Sequence, residues 1–150
     1  MKIRDGWQVW LGGSKSDHAV GEEIRGRLIP GRREEACNLA GDTSLAQAID
    51  LLSCAGAVVS NDSGLMHVAA ALNKPLVAVY GSTSPGFTPP LAEQVESVRL
   101  GLECSPCFDR TCRFGHYNCL RELEPRAVLE ALGRLVAEPL ADPLADPEGL

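Results

Sequence analysis

Short apolar runs alternate along this chain with stretches in which apolar residues recur every three or four positions. A short apolar or β-branched run predicts a buried strand, and the wider recurrence predicts one face of a helix. Strands are predicted near residues 8–11, 36–39, 57–61, 76–80 and 95–100. Because strands and helices alternate, the sequence predicts an α/β fold, a Rossmann-like parallel sheet with helices on both faces.

Three stretches carry the helical recurrence. Their apolar faces consist of Val20, Ile24 and Leu28; of Leu45, Ala48, Ile49 and Leu52; and of Val128, Leu129, Leu132 and Val136. The middle stretch has Ser44 and Gln47 at the two positions of a capping box, with Gly56 just beyond its end. The last begins with Pro125, a residue that favours the first turn of a helix.

The most informative segment is AVVSNDSGLMHVAAAL, residues 57–72. It predicts a strand, a tight turn and a helix whose first N–H groups have no partner within the helix. Such N–H groups and the positive end of the helix dipole favour a bound phosphate. Gly64 lets the backbone approach a ligand closely, and His67 lies one helical turn further along the same side.

Asp62 has a different expected role in this turn. Two anions in contact repel, so its carboxylate is predicted to accept hydrogen bonds from sugar hydroxyls if the turn binds a sugar diphosphate. Structural alternatives stand beside each of these roles. Asp62 could be only a helix N-cap, Gly64 only a turn residue, and His67 a partly buried polar residue at a domain surface.

Four loops follow predicted strands and are expected at the ligand-binding edge of the sheet, since ligands of open parallel sheets bind beyond the carboxyl ends of the strands. They are Gly12-Gly13-Ser14-Lys15-Ser16-Asp17, Gly41-Asp42-Thr43-Ser44, Asn61-Asp62-Ser63-Gly64 and Gly81-Ser82-Thr83-Ser84. Asp17 and Thr43 also have structural interpretations, because Asp17 can cap a helix and Thr43 precedes the capped helix.

Composition limits the possible partners. The 150 residues, 45% of them hydrophobic, suffice for one domain with a core. The net charge of −6 argues against a nucleic-acid partner held by phosphate contacts. No apolar run is long enough to span a bilayer and no signal peptide is evident, so we expect a cytoplasmic protein.

Cys104, Cys107, Cys112 and Cys119 form the pattern C-x2-C-x4-C-x6-C in one short segment. Four thiols so close together in a reducing cytoplasm indicate metal ligands more than disulfides, and thiolate ligands favour a structural zinc. The spacing departs from paired C-x2-C knuckles, so unpaired thiols remain the alternative, with an iron–sulfur cluster less favoured. Cys37 and Cys54 lie in a strand and a helix pattern and are predicted to be core residues.

The phrase NDSGLMHVAAALNKPLVAVYGSTSPGFTPPL resembles the donor-binding region of the bacterial lipopolysaccharide heptosyltransferases. The segments GWQVWLGGSKSDHAVGEEI, NLAGDTSLAQAIDLLSCAGAVVSND and CSPCFDRTCRFGHYNCLRELEPRAVLEAL extend the resemblance to about residues 6–136. The resemblance implies a GT-B architecture of two Rossmann-like domains, of which this chain is the C-terminal, donor-binding half. We therefore expect an ADP-sugar domain at residues 1–137, with a Cys-rich loop at 104–119, and a disordered low-complexity tail at 138–150.

The resemblance also implies a reaction, the transfer of heptose from ADP-heptose to the lipopolysaccharide inner core without a required metal. By resemblance, Ser63, Gly64 and Leu65 would face the diphosphate, and Asp62 and His67 the sugar. Asp17 would lie near the ribose and Thr43 near the adenine, with Ser44 a further donor contact in that loop. The family's catalytic base lies in an N-terminal domain, so the chain is expected to begin inside a larger protein and to be inactive alone.

A second class of function stays open from the sequence, a stand-alone nucleotide- or sugar-binding module, or an interaction module organised by the Cys-rich loop, without catalysis. The coding sequence upstream of Met1 discriminates between the two. A second Rossmann-like half in frame indicates an enzyme, and a stop codon indicates a module.

Overall fold

A computed structural model of the chain describes residues 7–136. The predicted tail at 138–150 lies outside these residues. Within them the chain forms two compact units, residues 7–50 and residues 51–136. Each unit has its own parallel sheet.

The strands are β1 (Val9–Leu11), β2 (Ala36–Asn38), β3 (Val58–Asn61), β4 (Leu76–Val79) and β5 (Val95–Val98). The α-helices are α1 (His18–Gly26), α2 (Leu45–Cys54), α3 (Gly64–Ala71), α4 (Asn118–Arg121) and α5 (Pro125–Leu135). Short 3-10 helices span Lys15–Asp17 and Arg33–Glu35. Every predicted strand is present and is shorter than predicted by one or two residues.

The first unit contains β1 paired in parallel with β2, with Val9 opposite Ala36. Leu28 and Ala36 are buried there, and Trp7 and Val9 pack against them. Helix α1 contacts β2. Its predicted apolar face is only partly covered within the described residues, since Val20 is 56% exposed while Leu28, just beyond the helix, is buried.

The second unit has the strand order β3-β4-β5, with all pairs parallel. Helix α3 packs on β3 and β4, and α5 packs on β4 and β5. The main core of this unit lies between α3 and β4. It consists of Met66, Ala69, Ala70, Leu76, Ala78 and Tyr80. Val77 alternates with these strand residues and is also fully buried, so β4 is covered on both faces.

The sequence predicted the fold class correctly, an α/β fold with parallel strands and helices around them. The five strands, however, form a two-stranded and a three-stranded sheet in the described residues, where one sheet was predicted. Hydrophobic patterns report how deeply a strand is buried. They do not report which strand it pairs with, because pairing depends on contacts between segments far apart in sequence.

The predicted core positions of Cys37 and Cys54 are wrong, because both side chains are exposed. Cys37 lies in the middle of β2, between a buried Ala36 and a half-buried Asn38. Alternate strand residues point to opposite faces, and the face carrying Cys37 is uncovered among the described residues. Cys54 is the last residue of α2, a helix with no fully buried residue.

Candidate functional site

The turn between β3 and α3 has the backbone groups that the sequence predicted. Ser63 is the N-cap of α3, with extended backbone and a hydroxyl that accepts from the N–H of Met66 at 3.4 Å. The N–H groups of Ser63, Gly64 and Leu65 donate to no acceptor within residues 7–136. A side chain at Gly64 would meet open space, so a ligand has access to this backbone. Three free donors at a helix N-terminus suit an anion.

Asp62 is oriented by its surroundings. Its N–H donates to the carbonyl of Val79 at 3.2 Å, which holds it beside the end of β4. Its Oδ2 accepts from the hydroxyl of Thr88 at 2.9 Å, whereas Oδ1 accepts from no donor among the described residues. The alternative role of Asp62 as the helix cap is wrong, since Ser63 caps α3. The free oxygen can accept a hydrogen bond from a ligand hydroxyl.

Thr88 and Tyr80 were not predicted as parts of the site. Tyr80 follows β4, is 1% exposed, and donates its hydroxyl to the carbonyl of Thr88 at 2.8 Å. Burial, and then the negative charge of Asp62, raise the pKa of Tyr80. No sequence signal marks Thr88, which lies in a glycine- and proline-rich loop without periodicity. Only folding brings it to Asp62.

His67 lies off the buried face of α3. Met66 and Ala69 face the core, whereas the His67 side chain is exposed and bonds to no described group. It lies three residues after Gly64, so its side chain leans toward the same helix end. The imidazole is therefore available to a ligand at this turn.

In the first unit, the loops after β1 and β2 contact each other. The N–H of Gly41 donates to the carbonyl of Gly13 at 3.0 Å. Gly41 has a φ of +82°, and a Cβ there would lie 2.7 Å from the Cα of Lys15, so this close approach requires glycine. The predicted meeting of these two loops is confirmed within this unit.

The polar side chains of these loops bond locally. Asp17 Oδ2 accepts from the hydroxyl of Ser14 at 2.5 Å and from its N–H at 2.7 Å, and these bonds lower the pKa of Asp17. Ser44 and Gln47 form the predicted capping box, with Gln47 Oε1 accepting from the Ser44 N–H at 2.9 Å and Ser44 Oγ accepting from the Gln47 N–H at 3.3 Å. Thr43 is half-buried beside this cap. The donor contacts of Asp17, Thr43 and Ser44 stay predictions.

The Cys-rich loop, residues 104–119, packs on the loop that follows β4. The N–H groups of Cys107 and Phe108 donate to the carbonyl of Ser82 at 3.0 and 2.8 Å, and the hydroxyl of Ser105 donates to the carbonyl of Gly81. A Cβ at Gly81 would lie 2.7 Å from the side chain of Leu120. The loop therefore supports the backbone at the carboxyl end of β4.

The four thiols of this loop are free and half-buried. Backbone N–H groups, that of Tyr117 foremost, lower the pKa of Cys112. Burial, and then the charges of the other three thiols, raise the pKa of Cys119. No three His, Cys, Asp or Glu side chains in residues 7–136 are grouped as metal ligands would be. As placed, the thiols do not fit zinc, and the zinc assignment stays a prediction from spacing.

Comparison with known proteins identifies the class of protein to which this fold and turn belong. The sequence pattern of glycosyltransferase family 9 (heptosyltransferase) matches residues 1–118. The chain therefore belongs to this family of glycosyltransferases, as the resemblance implied, and a non-catalytic module is not favoured.

Several of the matching relatives are heptosyltransferases 2. The chain is 45% identical over 139 residues to lipooligosaccharide heptosyltransferase 2 of Haemophilus influenzae, covering 92% of this chain and 40% of the relative. It is 44% identical over 136 residues to lipopolysaccharide heptosyltransferase 2 of Escherichia coli, covering 91% and 39%. The solved structure of E. coli ADP-heptose lps heptosyltransferase II superposes with a TM-score of 0.74 at 45% identity, covering 87% of this chain and 37% of that one.

The chain thus spans about 40% of the length of these curated relatives. No helix within the described residues has the length and apolar character needed to cross a membrane.

Proposed function

We propose that this chain binds the nucleotide-sugar donor of a heptosyltransferase, ADP-heptose. The observation that carries the proposal is the combination at one turn of three unpartnered N–H groups, at Ser63, Gly64 and Leu65, and one unpartnered carboxylate oxygen, on Asp62. The donors suit a diphosphate and the acceptor suits a sugar hydroxyl. A sugar diphosphate carries both chemical groups next to each other.

In this proposal each group has one role. The free N–H groups and the dipole of α3 hold the diphosphate and stabilise the negative charge that develops on it as the sugar leaves. The Asp62 carboxylate and the exposed imidazole of His67 hold the sugar. This assignment uses backbone donors for the leaving group and requires no metal at the diphosphate, so a chelator should leave donor affinity unchanged as long as the fold is intact.

Transfer to an acceptor needs a base that takes the proton from the acceptor hydroxyl. We propose that the acceptor is the lipopolysaccharide core and that the base comes from a further domain, since the matched relatives are about two and a half times as long as the matched part of this chain. Such an acceptor is built on a lipid. We therefore propose that the protein acts on the cytoplasmic side of the inner membrane, as a peripheral protein.

Calorimetry on the purified chain tests the donor proposal. We expect weak binding of ADP and ADP-heptose and weaker binding of a UDP-sugar, because a site with one wall buries little ligand. Equal affinities for ADP- and UDP-sugars, or no binding at about millimolar ligand, would contradict the proposal.

A transfer assay tests the division of roles. The chain alone, given saturating donor and lipopolysaccharide core acceptor, should not turn over, and addition of a separately expressed N-terminal half of a relative should restore some turnover. Turnover by the purified chain alone would show that the base lies within it.

A further inference from the structure

The hydroxyl of Thr88 is the one side-chain group among the described residues that fixes the carboxylate of Asp62. The two residues are 26 positions apart in sequence, and Thr88 Oγ1 donates to Asp62 Oδ2 at 2.9 Å. The same hydroxyl lies 3.4 Å from the carbonyl of Ser84, a longer and weaker alternative. Thr88 therefore directs its proton to the carboxylate.

Thr88 is itself fixed from the core. Its carbonyl accepts from the buried hydroxyl of Tyr80 at 2.8 Å, and its N–H donates to the carbonyl of Ser84 at 3.0 Å. The Tyr80 hydroxyl also lies 3.7 Å from the sulfur of Met66, a fully buried residue of α3. A connected path thus runs from the core of the second unit through Tyr80 and Thr88 to Asp62.

This path has a consequence for ligand binding. An aspartate without a partner must give up side-chain rotamers when it binds a sugar, and this loss of freedom weakens binding. With Oδ2 held by Thr88, the remaining oxygen of Asp62 is already oriented. Supporting contacts of this kind are what hold a binding group in its productive geometry.

We infer that Thr88 is a positioning residue, which holds the carboxylate of Asp62 in the orientation that grips the sugar of the donor. The inference rests on the proposed function, because it assumes that Asp62 contacts the sugar. Thr88 does not touch the ligand in this scheme, and Tyr80 secures its backbone. In this scheme, discrimination between ADP and ADP-heptose depends on the loop after β4, which carries Thr88, as well as on the turn between β3 and α3.

Two variants of Thr88 test the inference by calorimetry. Thr88→Val keeps the shape and removes the hydroxyl, and Thr88→Ser keeps the hydroxyl. We expect Thr88→Val to weaken ADP-heptose by roughly three- to tenfold, the loss of one hydrogen bond, while ADP affinity stays unchanged. Thr88→Ser should retain the affinity for both ligands. The inference would be overturned if Thr88→Val lost affinity for ADP and ADP-heptose equally. It would also be overturned if Thr88→Ser lost as much affinity for ADP-heptose as Thr88→Val.

A matched control addresses general loosening of the fold. Arg134 Nη2 lies 2.9 Å from Glu96 Oε2, another contact between distant segments of the same unit that involves neither Asp62 nor Thr88. Arg134→Met should leave the ratio of ADP to ADP-heptose affinities unchanged. A change in that ratio as large as that of Thr88→Val would show that any loosening of this unit has the same effect.

A double-mutant cycle separates positioning from direct contact. If Thr88 acts through Asp62, then Thr88→Val should have no further effect on ADP-heptose affinity in an Asp62→Ala background. Independent effects that multiply within about twofold would place Thr88 in direct contact with the sugar and overturn the positioning role.

The same cycle measured by urea unfolding needs no ligand. We expect the two substitutions to be non-additive in the free energy of unfolding, since they remove one shared bond. If the chain without substitutions binds no donor, the proposed function fails. Additive effects of the two substitutions on the free energy of unfolding would independently overturn the coupling of Thr88 to Asp62. Donor binding by the chain with no change in Thr88→Val would instead overturn only the positioning role.

Discussion

Two aspartates that follow parallel strands, Asp17 in the first unit and Asp62 in the second, differ in what holds them. Asp17 bonds to Ser14, three residues away, by two hydrogen bonds of 2.5 and 2.7 Å. Asp62 bonds to Thr88, 26 residues away, by one of 2.9 Å. The first carboxylate stabilises the start of a short helix, and the second is held in place by a distant loop.

The comparison teaches how to recognise a binding carboxylate among carboxylates in similar sequence surroundings. A carboxylate that accepts bonds from its own loop satisfies donors that the helix start would otherwise leave free. At Asp62 that task belongs to Ser63, the N-cap of α3, so the carboxylate of Asp62 is released from capping. A carboxylate that is not needed for capping, yet is fixed in orientation, is the better candidate for a ligand contact.

The largest expected effect that sharpens this comparison is that of Asp62→Asn. The loss of a hydrogen bond to a charged group should weaken ADP-heptose by roughly ten- to a hundredfold. ADP affinity should stay the same or rise, because a negative charge near the diphosphate is removed. Calorimetry with both ligands measures the difference, and Asp17→Asn is the matched control, expected to leave the ratio unchanged. If Asp17→Asn changed the ratio of ADP to ADP-heptose affinities more than Asp62→Asn did, Asp17 and not Asp62 would be the carboxylate that contacts the sugar.

A somewhat smaller effect is expected from Gly64→Val, on both ligands together. Gly64 has no positive φ and a side chain there meets open space, so the fold should remain intact. The valine would fill the space through which the ligand reaches the free N–H groups. We expect ADP and ADP-heptose to weaken by a similar factor of roughly ten, as for loss of one to two hydrogen bonds. If both ligands bound as before, with the fold verified by circular dichroism, the proposal that this turn binds the diphosphate would be wrong.

Ser14→Ala tests what holds Asp17, the other aspartate of the comparison. We expect no effect on the ratio of ADP to ADP-heptose affinities. The hydroxyl and N–H of Ser14 lower the pKa of Asp17, so loss of the hydroxyl should raise that pKa toward its ordinary value. Because the folded pKa is the lower one, this bond stabilises the fold above the unfolded pKa, and the contribution is lost as pH falls through the folded pKa. Carboxyl NMR titration of Asp17 measures the change. An unchanged pKa in Ser14→Ala would show that other groups hold the carboxylate.

The smallest expected effect on donor binding comes from the Cys-rich loop, in which no thiol is bonded to Asp62 within the described part of the chain. The pKa of Cys112 is lowered and that of Cys119 is raised, so alkylation of Cys112 should begin at lower pH. Mass spectrometry of peptides alkylated across a pH series measures both rates. Simultaneous alkylation of the two would contradict the difference in their surroundings.

Elemental analysis of the same samples tests the zinc prediction. Bound zinc would protect all four thiols from alkylation, and a chelator would then lower the melting temperature before it changed donor affinity. Less than about a tenth of an equivalent of zinc or iron, with four reactive thiols, would leave the arrangement of free thiols as the answer.

The sequence by itself determined the parts of this protein that depend on neighbours within a few residues. The strand and helix alternation, the capping box at Ser44 and Gln47, and the placement of Asp62 directly before a helix start could all be predicted from local pattern. They follow from backbone propensity and from hydrogen bonds between residues three or four apart, which hold in any tertiary setting. The family resemblance then added the expectation that the ligand is an ADP-sugar.

Only the tertiary structure decided the rest. It split the strands into two sheets, left Cys37 exposed, and brought Thr88 to Asp62 and Tyr80 to Thr88. A lone threonine in a glycine- and proline-rich loop has no periodicity to report its partner. Contacts between distant segments form only when the core aligns them, because the cost of closing the intervening chain is met by burial of the whole unit and not by the contact itself.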